Sequence, residues 1–493
     1  MTTTSPIKRF DGLYIGGEWV APGNGTDPIL VLDSTTEEPF LSVASASPDD
    51  VTRAVTAARQ AFDHTDWSRS TPETRAHFLR GIAAGMLERA DEIADIWVRQ
   101  SGMLHRNAIA GVRQGSAVYS YFADLAESFS FHELRNTDAG GFGLIVREAV
   151  GVVGAIVPWN GPTRLTAVKV GPALAAGCTV VLKASREAPG ESYILAEIAD
   201  SIGLPPGILN VFTTAPGASE TLVRDPRVDK ISFTGSTEVG RRIAAIMAER
   251  IGRVTLELGG KSPAIVLDDY DLDKASELIA TQELYNGGQV CSSLTRVLVS
   301  KKRAADLADA LARRFADVRV GDPFEESSDM GPLASAEQVT KVKRFIGLGV
   351  EEGAELVVGG ADAPEGRTRG YYVKPTLFTN VDNSSELAQN EIFGPVLAVI
   401  PVEDEDAAVH TANDTIYGLN AAVFTDDVDK ALAVARRVRS GMVMHNGLST
   451  GYALGFGGIK QSGIGREGSR ESIQAYLESK AIAMDGTPSG FAD

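Results

Sequence analysis

Val152-Val-Gly-Ala-Ile-Val157, followed by a helical pattern over 164–176 and then by Thr179-Val-Val-Leu-Lys183, opens the rhythm that decides the fold of this chain. Short apolar runs and helical runs go on alternating, with helix over 189–202, strand over 208–212, a short helix over 219–224, strand over 230–233, helix over 237–251 and strand over 253–258. Apolar strands separated by helices predict a parallel sheet, because each crossover helix must lie on a face and the strands are then buried on both sides. The expectation is an α/β, doubly wound Rossmann-type sheet, which takes its ligands at the carboxyl ends of the strands.

Upstream, residues 10–45 read as short strands, with a turn at Gly16-Gly17 inside Leu13-Tyr-Ile-Gly-Gly-Glu-Trp-Val20. From Ser47-Pro-Asp-Asp50, a helix N-cap pattern, to about residue 127, apolar residues recur three and four apart. Residues 129–148 break that period and read as a projecting hairpin that turns at Asn136-Thr-Asp-Ala-Gly-Gly-Phe142. Its free edges need cover, so an oligomer contact is expected there. Downstream of about residue 262 a second α/β series begins, with helices over 272–285 and 304–317 and strands over 397–400 and 421–424. It closes on Gly455-Phe-Gly-Gly-Ile-Lys-Gln-Ser-Gly-Ile-Gly-Arg466-Glu467-Gly468, a glycine-rich loop.

At 493 residues the chain exceeds what one core supports, so at least two domains are expected. A net charge of −18 argues against a phosphate-backbone binder, which needs a basic face, and no nucleic-acid partner is expected. The two cysteines, Cys178 and Cys291, supply neither a disulfide framework nor a metal centre, which points to a reducing compartment. Neither a signal-peptide core nor an apolar run of about 18 residues is present, so the expected location is cytoplasmic, without a membrane partner.

Chemistry concentrates around Asn286-Gly-Gly-Gln-Val-Cys291-Ser-Ser-Leu-Thr-Arg296, where a cysteine stands among small and polar residues. A lone cysteine is commonly a buried small hydrophobe, and its reactivity depends on exposure and thiolate fraction. Upstream, Leu256-Glu257-Leu-Gly-Gly-Lys261 puts a carboxylate at the end of an apolar strand, where desolvation lets it act as a base near neutral pH. The alternative is an ordinary strand-end carboxylate. Asn160, in Val157-Pro-Trp-Asn-Gly-Pro162, projects from a strand's carboxyl end and offers an amide to a developing oxyanion; the alternative is an Asx turn. Phe233-Thr-Gly235-Ser236 stands between strand and helix, where free N–H groups and the helix dipole attract phosphate, although a simple tight turn would also explain it.

Taken together, Pro158-Trp-Asn160, Leu182-Lys183, Phe233-Thr-Gly-Ser236, Leu256-Glu257-Leu-Gly-Gly-Lys261, Gly288-Gln-Val-Cys291, Glu391-Ile-Phe393-Gly-Pro395 and Phe456-Gly-Gly-Ile-Lys460 with Ser462, Gly465, Arg466 and Glu467 follow the order and spacing of the NAD(P)-dependent aldehyde dehydrogenase superfamily, which the chain resembles from about residue 10 to its end. The resemblance implies oxidation of an aldehyde to a carboxylic acid. Cys291 would be the nucleophile, Asn160 with the Cys291 N–H the oxyanion donors, Glu257 the base that activates the hydrolytic water, and Lys169 and Glu467 members of a proton relay. Ile156, Pro158, Trp159, Lys183, Ser185, Arg186, Gly235, Ser236, Glu391 and Phe393 would bind the cofactor, NAD or alternatively NADP, and no metal is implied. The implied organisation is a dinucleotide-binding domain of 1–128 and 149–260, a catalytic domain of 261–465, and oligomerisation segments 129–148 and 478–493 that join two or four copies.

Departures from the family pattern raise questions. Arg186 replaces a glutamate that many NAD-preferring relatives use on the adenosine ribose, which opens the site to a 2′-phosphate. Gly161, Thr163, Arg164 and Val168 stand at channel positions that often carry bulkier groups, so a less aromatic channel is expected, unsuited to a choline-like cation. Arg164 would either greet an acidic semialdehyde or stay solvated. A CoA-acylating enzyme and a noncatalytic protein on the same fold are the alternatives; the first commonly lacks the hydrolytic glutamate and the second should have lost the nucleophile.

Overall fold

The computed structural model describes residues 7–491 except 24, 139, 216, 448–450, 452 and 453. Its organising feature is a parallel array in the order Arg253–Glu257, Lys230–Thr234, Val152–Ile156, Thr179–Lys183, Leu209–Phe212. Val152–Ile156 is first in sequence yet central in space, with its two neighbours reached in opposite directions. The crevice that opens at such a reversal lies at its carboxyl end, where Pro158, Trp159 and Asn160 follow. The hairpin of Leu13–Ile15 and Glu18–Val20 extends one edge, and Gly463–Ile464 extends the other, giving eight strands.

Side-chain alternation explains the layers. Val152, Ile156 and Val181 enter the core shared with Val51, Val55, Ile243 and Met247, whereas Val153, Ala155, Val180 and Leu182 enter the core on the opposite face. The helix Pro162–Ala176 lies inside that second core, packed between the sheet and the long helix His105–Ser128, and is apolar almost all round for that reason. It begins two residues before the expected start, since Pro162 fits the first helical turn, and it stops at Gly177, whose φ of 91° is left-handed. Helix Thr237–Ala248 ends short of residue 251 because Ile251 takes a left-handed φ of 57° and Gly252 N–H bonds back to the Met247 carbonyl.

A second sheet of seven strands is parallel except at one edge, in the order Glu355–Val358, Thr376–Thr379, Val396–Val402, Arg296–Ser300, Pro263–Val266, Ala422–Phe424, Met444–His445. The hairpin of His132–Asn136 and Phe142–Ala149 is completed by Leu477–Met484, in register from Leu477 opposite Ala149 to Met484 opposite Phe142. Among the described residues no helix is long and apolar enough to cross a membrane, and no cluster of His, Cys, Asp and Glu suits a metal ion.

Candidate active site

Between helix Leu272–Leu284 and Cys291 the chain turns through three left-handed residues, Asn286, Gly287 and Gly288. A Cβ on Gly288 would lie 2.3 Å from the Gly394 carbonyl oxygen, and one on Gly260 would lie 2.4 Å from the Cys291 carbonyl oxygen. The glycines thus let the cysteine loop close onto the carboxyl end of strand Arg253–Glu257.

Two other side-chain amides, Asn286 and Gln289, fix the loop against Asn160. Asn160 Nδ2 donates to the Gln289 carbonyl at 3.0 Å, and Asn286 Nδ2 donates to the Asn160 carbonyl at 3.1 Å. Gln289 Nε2 in turn donates to the Asn286 carbonyl at 2.9 Å, while its Oε1 accepts from Ala334 N–H at 2.9 Å. A primary amide has two donor hydrogens, so Asn160 keeps one for a ligand. Its side chain reaches across to the cysteine loop instead of making the alternative Asx turn. The positioning roles of Asn286 and Gln289 escaped the sequence reading, and the one available signal was a pair of amides flanking two glycines.

Cys291, Asn160 and Glu467 line one cavity of about 150 Å³, which continues into a second of about 240 Å³ through shared residues including Arg164, Tyr285, Val290 and Phe456. Burial, then the Glu391 and Glu257 carboxylates, push the Cys291 thiol up to about 12, with Arg164 acting in the opposite direction. Gly161, Arg164 and Val168 line the inner cavity, but Thr163 turns away and donates to the Gly111 carbonyl at 3.4 Å. The aromatic walls come from elsewhere in the chain, from Trp97, Tyr285 and Phe456. The expected loss of aromatic lining is therefore only local to the helix Pro162–Ala176. Arg164 is exposed yet faces both cavities, so a solvated arginine and a channel arginine are the same residue.

Glu257 ends its strand next to Glu467 and the Cys291 thiol and is 2% exposed, with no side-chain hydrogen bond to either carboxyl oxygen among the described residues and only the Gly458 N–H lying near them. Desolvation, then the neighbouring Glu467 charge, holds its carboxyl well above the usual range, against the opposing pull of Lys169 and Arg466. A buried acid without a partner is costly, and Glu283 shares that state, so it is the position beside Cys291 and Glu467 that distinguishes Glu257. Glu467 is instead paired: its Oε1 accepts from Lys169 Nζ at 2.5 Å and from Ser232 Oγ at 3.2 Å, all within the protein.

The crevice beside these groups suits a dinucleotide. Ser236 caps the helix Thr237–Ala248, its Oγ accepting from Val239 N–H at 3.3 Å, and the free N–H groups of that turn favour phosphate. Gly235 is required because a Cβ would meet the Phe233 ring at 2.4 Å. Glu391 Oε1 accepts from Gly260 N–H at 3.0 Å, and Phe393, at a left-handed φ of 63°, meets Trp159 edge-on with centroids 5.4 Å apart. Ile156 and Lys183 are paired at the ends of adjacent strands. Glu187, which the sequence reading passed over, is the carboxylate of this region: Arg186 Nε donates to its Oε1 at 2.7 Å and Ser185 Oγ donates to its Oε2. Arg186 is therefore engaged by the next residue in the chain. Cys178 is buried, its thiol on the Tyr476 carbonyl at 3.4 Å and pushed up to about 12 by burial, as suits a structural residue.

Residues 19–482 match the family described as the aldehyde dehydrogenase family. Geranial dehydrogenase of Castellaniella defragrans is 43% identical over 480 residues, covering 96% of this chain and 98% of that one. A 3-succinoylsemialdehyde-pyridine dehydrogenase of Pseudomonas is 39% identical over 97% of this chain and 99% of its own length. Among solved structures, a Mycobacterium tuberculosis aldehyde dehydrogenase complexed with NAD+ superposes with a TM-score of 0.94 at 37% identity, covering 99% of this chain and all of that one. A mutant of aldehyde dehydrogenase C from Pseudomonas syringae, complexed with NAD+ and octanal, gives 0.93 at 39% identity and 96% coverage of both chains.

Proposed function

Because the chain belongs to the aldehyde dehydrogenase family, we propose that its NAD-dependent oxidation of an aldehyde to an acid is carried out by Cys291, Asn160 and Glu257, with Lys169 and Glu467 moving protons. The observation that carries this assignment is the single cavity lined by Cys291 and Asn160, with the unpartnered Glu257 carboxyl beside the thiol.

Cys291 Sγ, having released its proton to solvent through the open cavity, adds as the thiolate to the carbonyl carbon, and the oxyanion accepts hydrogen bonds from Asn160 Nδ2 and the Cys291 N–H; the same thiolate is the leaving group when the acid forms. NAD supplies the hydride acceptor that turns the adduct into a thioester. Glu257 then takes a proton from water as its oxygen attacks the acyl carbon, the C–S bond breaks, and Cys291 is released with the acid. The buried Lys169–Glu467 pair receives protons from Glu257 and returns them to solvent.

Lys183, Ser185 and Glu187 would hold the adenosine ribose of NAD, Gly235 and Ser236 its pyrophosphate, and Glu391 and Phe393 its nicotinamide ribose, while Ile156, Pro158 and Trp159 would form the crevice wall. Glu187 supports NAD over NADP, because a carboxylate that already occupies Arg186 repels a 2′-phosphate. The preferred substrate is an uncharged apolar aldehyde of medium length. Trp97, Met103, Leu165 and Val168 make the inner chamber apolar, and Arg164 at its junction with the outer chamber disfavours a quaternary ammonium. Residues 1–128 and 149–260 form the dinucleotide-binding domain and 261–465 the catalytic domain. The three-stranded arm, with its exposed strand His132–Asn136, is the surface through which two or four copies assemble in the cytoplasm.

The test is initial-rate NADH formation with octanal, geranial, succinic semialdehyde and betaine aldehyde, with product analysis and Cys291→Ala as control. Free acid from the first two aldehydes and silence in the variant are expected. Acyl-CoA formation in the presence of CoA, or turnover that survives in Cys291→Ala, would overturn the assignment.

A further inference from the structure

The strand Lys230–Thr234, beside the central Val152–Ile156, carries Lys230, Ser232 and Thr234 on one face, a polar row where a doubly covered parallel strand is expected to be apolar. Ser232 is the middle of a continuous buried chain. Tyr476 Oη donates to Ser232 Oγ at 3.2 Å, and Ser232 Oγ donates to Glu467 Oε1 at 3.2 Å, the same oxygen that Lys169 Nζ holds at 2.5 Å. Lys230 closes the far end, its Nζ donating to Thr255 Oγ1 at 2.7 Å and lying 4.9 Å from the centre of the Tyr476 ring. The near end meets the active site: Glu467 lines the Cys291 cavity and pairs with Phe456 across a backbone bridge, and a Cβ on the next residue, Gly457, would come within 2.6 Å of Glu257 Oε1.

A buried ion pair persists only when its remaining lone pairs are satisfied, and a hydroxyl that accepts one hydrogen bond donates the next more strongly. Ser232 and Tyr476 meet both conditions for the Lys169–Glu467 pair. We propose that Ser232 and Tyr476 are positioning residues of the hydrolytic half-reaction, holding the Glu467 carboxylate against Glu257 through the chain Tyr476–Ser232–Glu467. This rests on the reading of Glu257 as the base. The charged and titratable groups that face the chain are Glu257 and Arg253 on the adjoining strand, Lys169 on its helix, Arg466 beside Glu467, and Lys230 and the Cys178 thiol near Tyr476.

The experiment compares wild type, Ser232→Ala, Ser232→Thr and Tyr476→Phe as full-length protein, following the NADH burst and the subsequent acyl-enzyme hydrolysis separately across pH. In Ser232→Ala and Tyr476→Phe the burst rate should stay within about twofold while hydrolysis slows about tenfold, the scale of one hydrogen bond to a charged group. The acid limb of hydrolysis should move to lower pH, because a less firmly held Glu467 anion repels the Glu257 charge less, and Ser232→Thr should restore both. An unchanged hydrolysis rate and limb in a folded Ser232→Ala protein would overturn the proposal. Equal losses in both phases, with no shift of the limb and no rescue by threonine, would reduce these residues to packing and overturn it too. A wild type without burst or turnover would sink the Glu257 assignment, and this proposal with it, whereas an active wild type confines any failure to Ser232 and Tyr476.

Discussion

Glu257 and Glu191 are both sealed inside the protein, and desolvation holds both above the usual carboxylate range, Glu191 up to about 8. They differ in what they face. Glu191 Oε2 accepts from Gln100 Nε2 at 2.7 Å, and Glu191 lines a void of about 10 Å³ with Tyr119 and Thr166, room for one water molecule and nothing larger. Glu257 lines no cavity itself but neighbours Glu467 and the Cys291 thiol, both of which line a cavity that continues into a second chamber. A raised carboxyl is therefore no mark of catalysis by itself. What sets Glu257 apart from Glu191 is its place beside the Cys291 thiol.

The comparison is tested most severely by Glu257→Gln, which should slow acyl-enzyme hydrolysis by about 10²- to 10⁴-fold, the range for a lost general base, while leaving the NADH burst. The variant should be no less stable than its parent. A carboxyl raised by folding contributes stability below its unfolded value near 4.5 and loses it as pH climbs through the folded value, and glutamine has no such loss. A melting temperature well below the parent's at pH 8 would show that Glu257 is structural after all.

Asn160→Ala should act on the opposite phase, lowering the burst rate by about 10²- to 10³-fold, as expected for one lost oxyanion donor. Stopped-flow traces in which only the slow phase changed would move Asn160 out of the addition step.

Smaller effects belong to the cofactor end. Arg186→Ala should leave the ratio of NAD to NADP activity nearly unchanged, whereas Glu187→Gln should raise relative NADP use about tenfold, equivalent to about 1.4 kcal/mol. The reverse ranking in steady-state kinetics would return the 2′-position to Arg186.

Glu191→Gln should change kcat by less than about twofold and act on stability alone. The folded protein keeps the Glu191 proton up to about pH 8, while the unfolded chain releases it near 4.5, so wild-type stability falls between those values. Urea titrations should show the glutamine variant gaining up to about 4 kcal/mol at pH 8 and nothing at pH 4. A large fall in kcat would erase the contrast between the two carboxyls.

Legibility in the sequence followed physical range. The alternation from Val152 to Glu257 was readable because doubly buried parallel strands are mostly apolar, and Cys291, Glu257 and Asn160 were legible as candidates because each stands within three residues of glycine or proline in a stretch that matches the family pattern. Helix Lys301–Ala316 was expected to start at 304 because its first turn, Lys301, Lys302 and Arg303, is charged and lies toward solvent, outside the apolar period. The pairing of Arg186 with Glu187 was hidden although the residues adjoin, because side-chain direction after a strand end is set by what packs around it. Asn286 and Gln289 were visible as residues and invisible as a clamp, since their partners Asn160, Ser101 and Ala334 arrive from distant segments.

By itself, then, the sequence determined the layered α/β architecture, which follows from periodicity, and through its resemblance to the family it marked Cys291, Glu257 and Asn160 as the candidate nucleophile, base and oxyanion amide. Tertiary structure alone decided that Thr163 leaves the channel while Trp97, Tyr285 and Phe456 enter it, that Glu187 claims Arg186, and that Tyr476 reaches Glu467 through Ser232. The reason is that these contacts join residues whose approach depends on how helices and sheets pack, and that packing is a property of the whole chain rather than of any stretch of it.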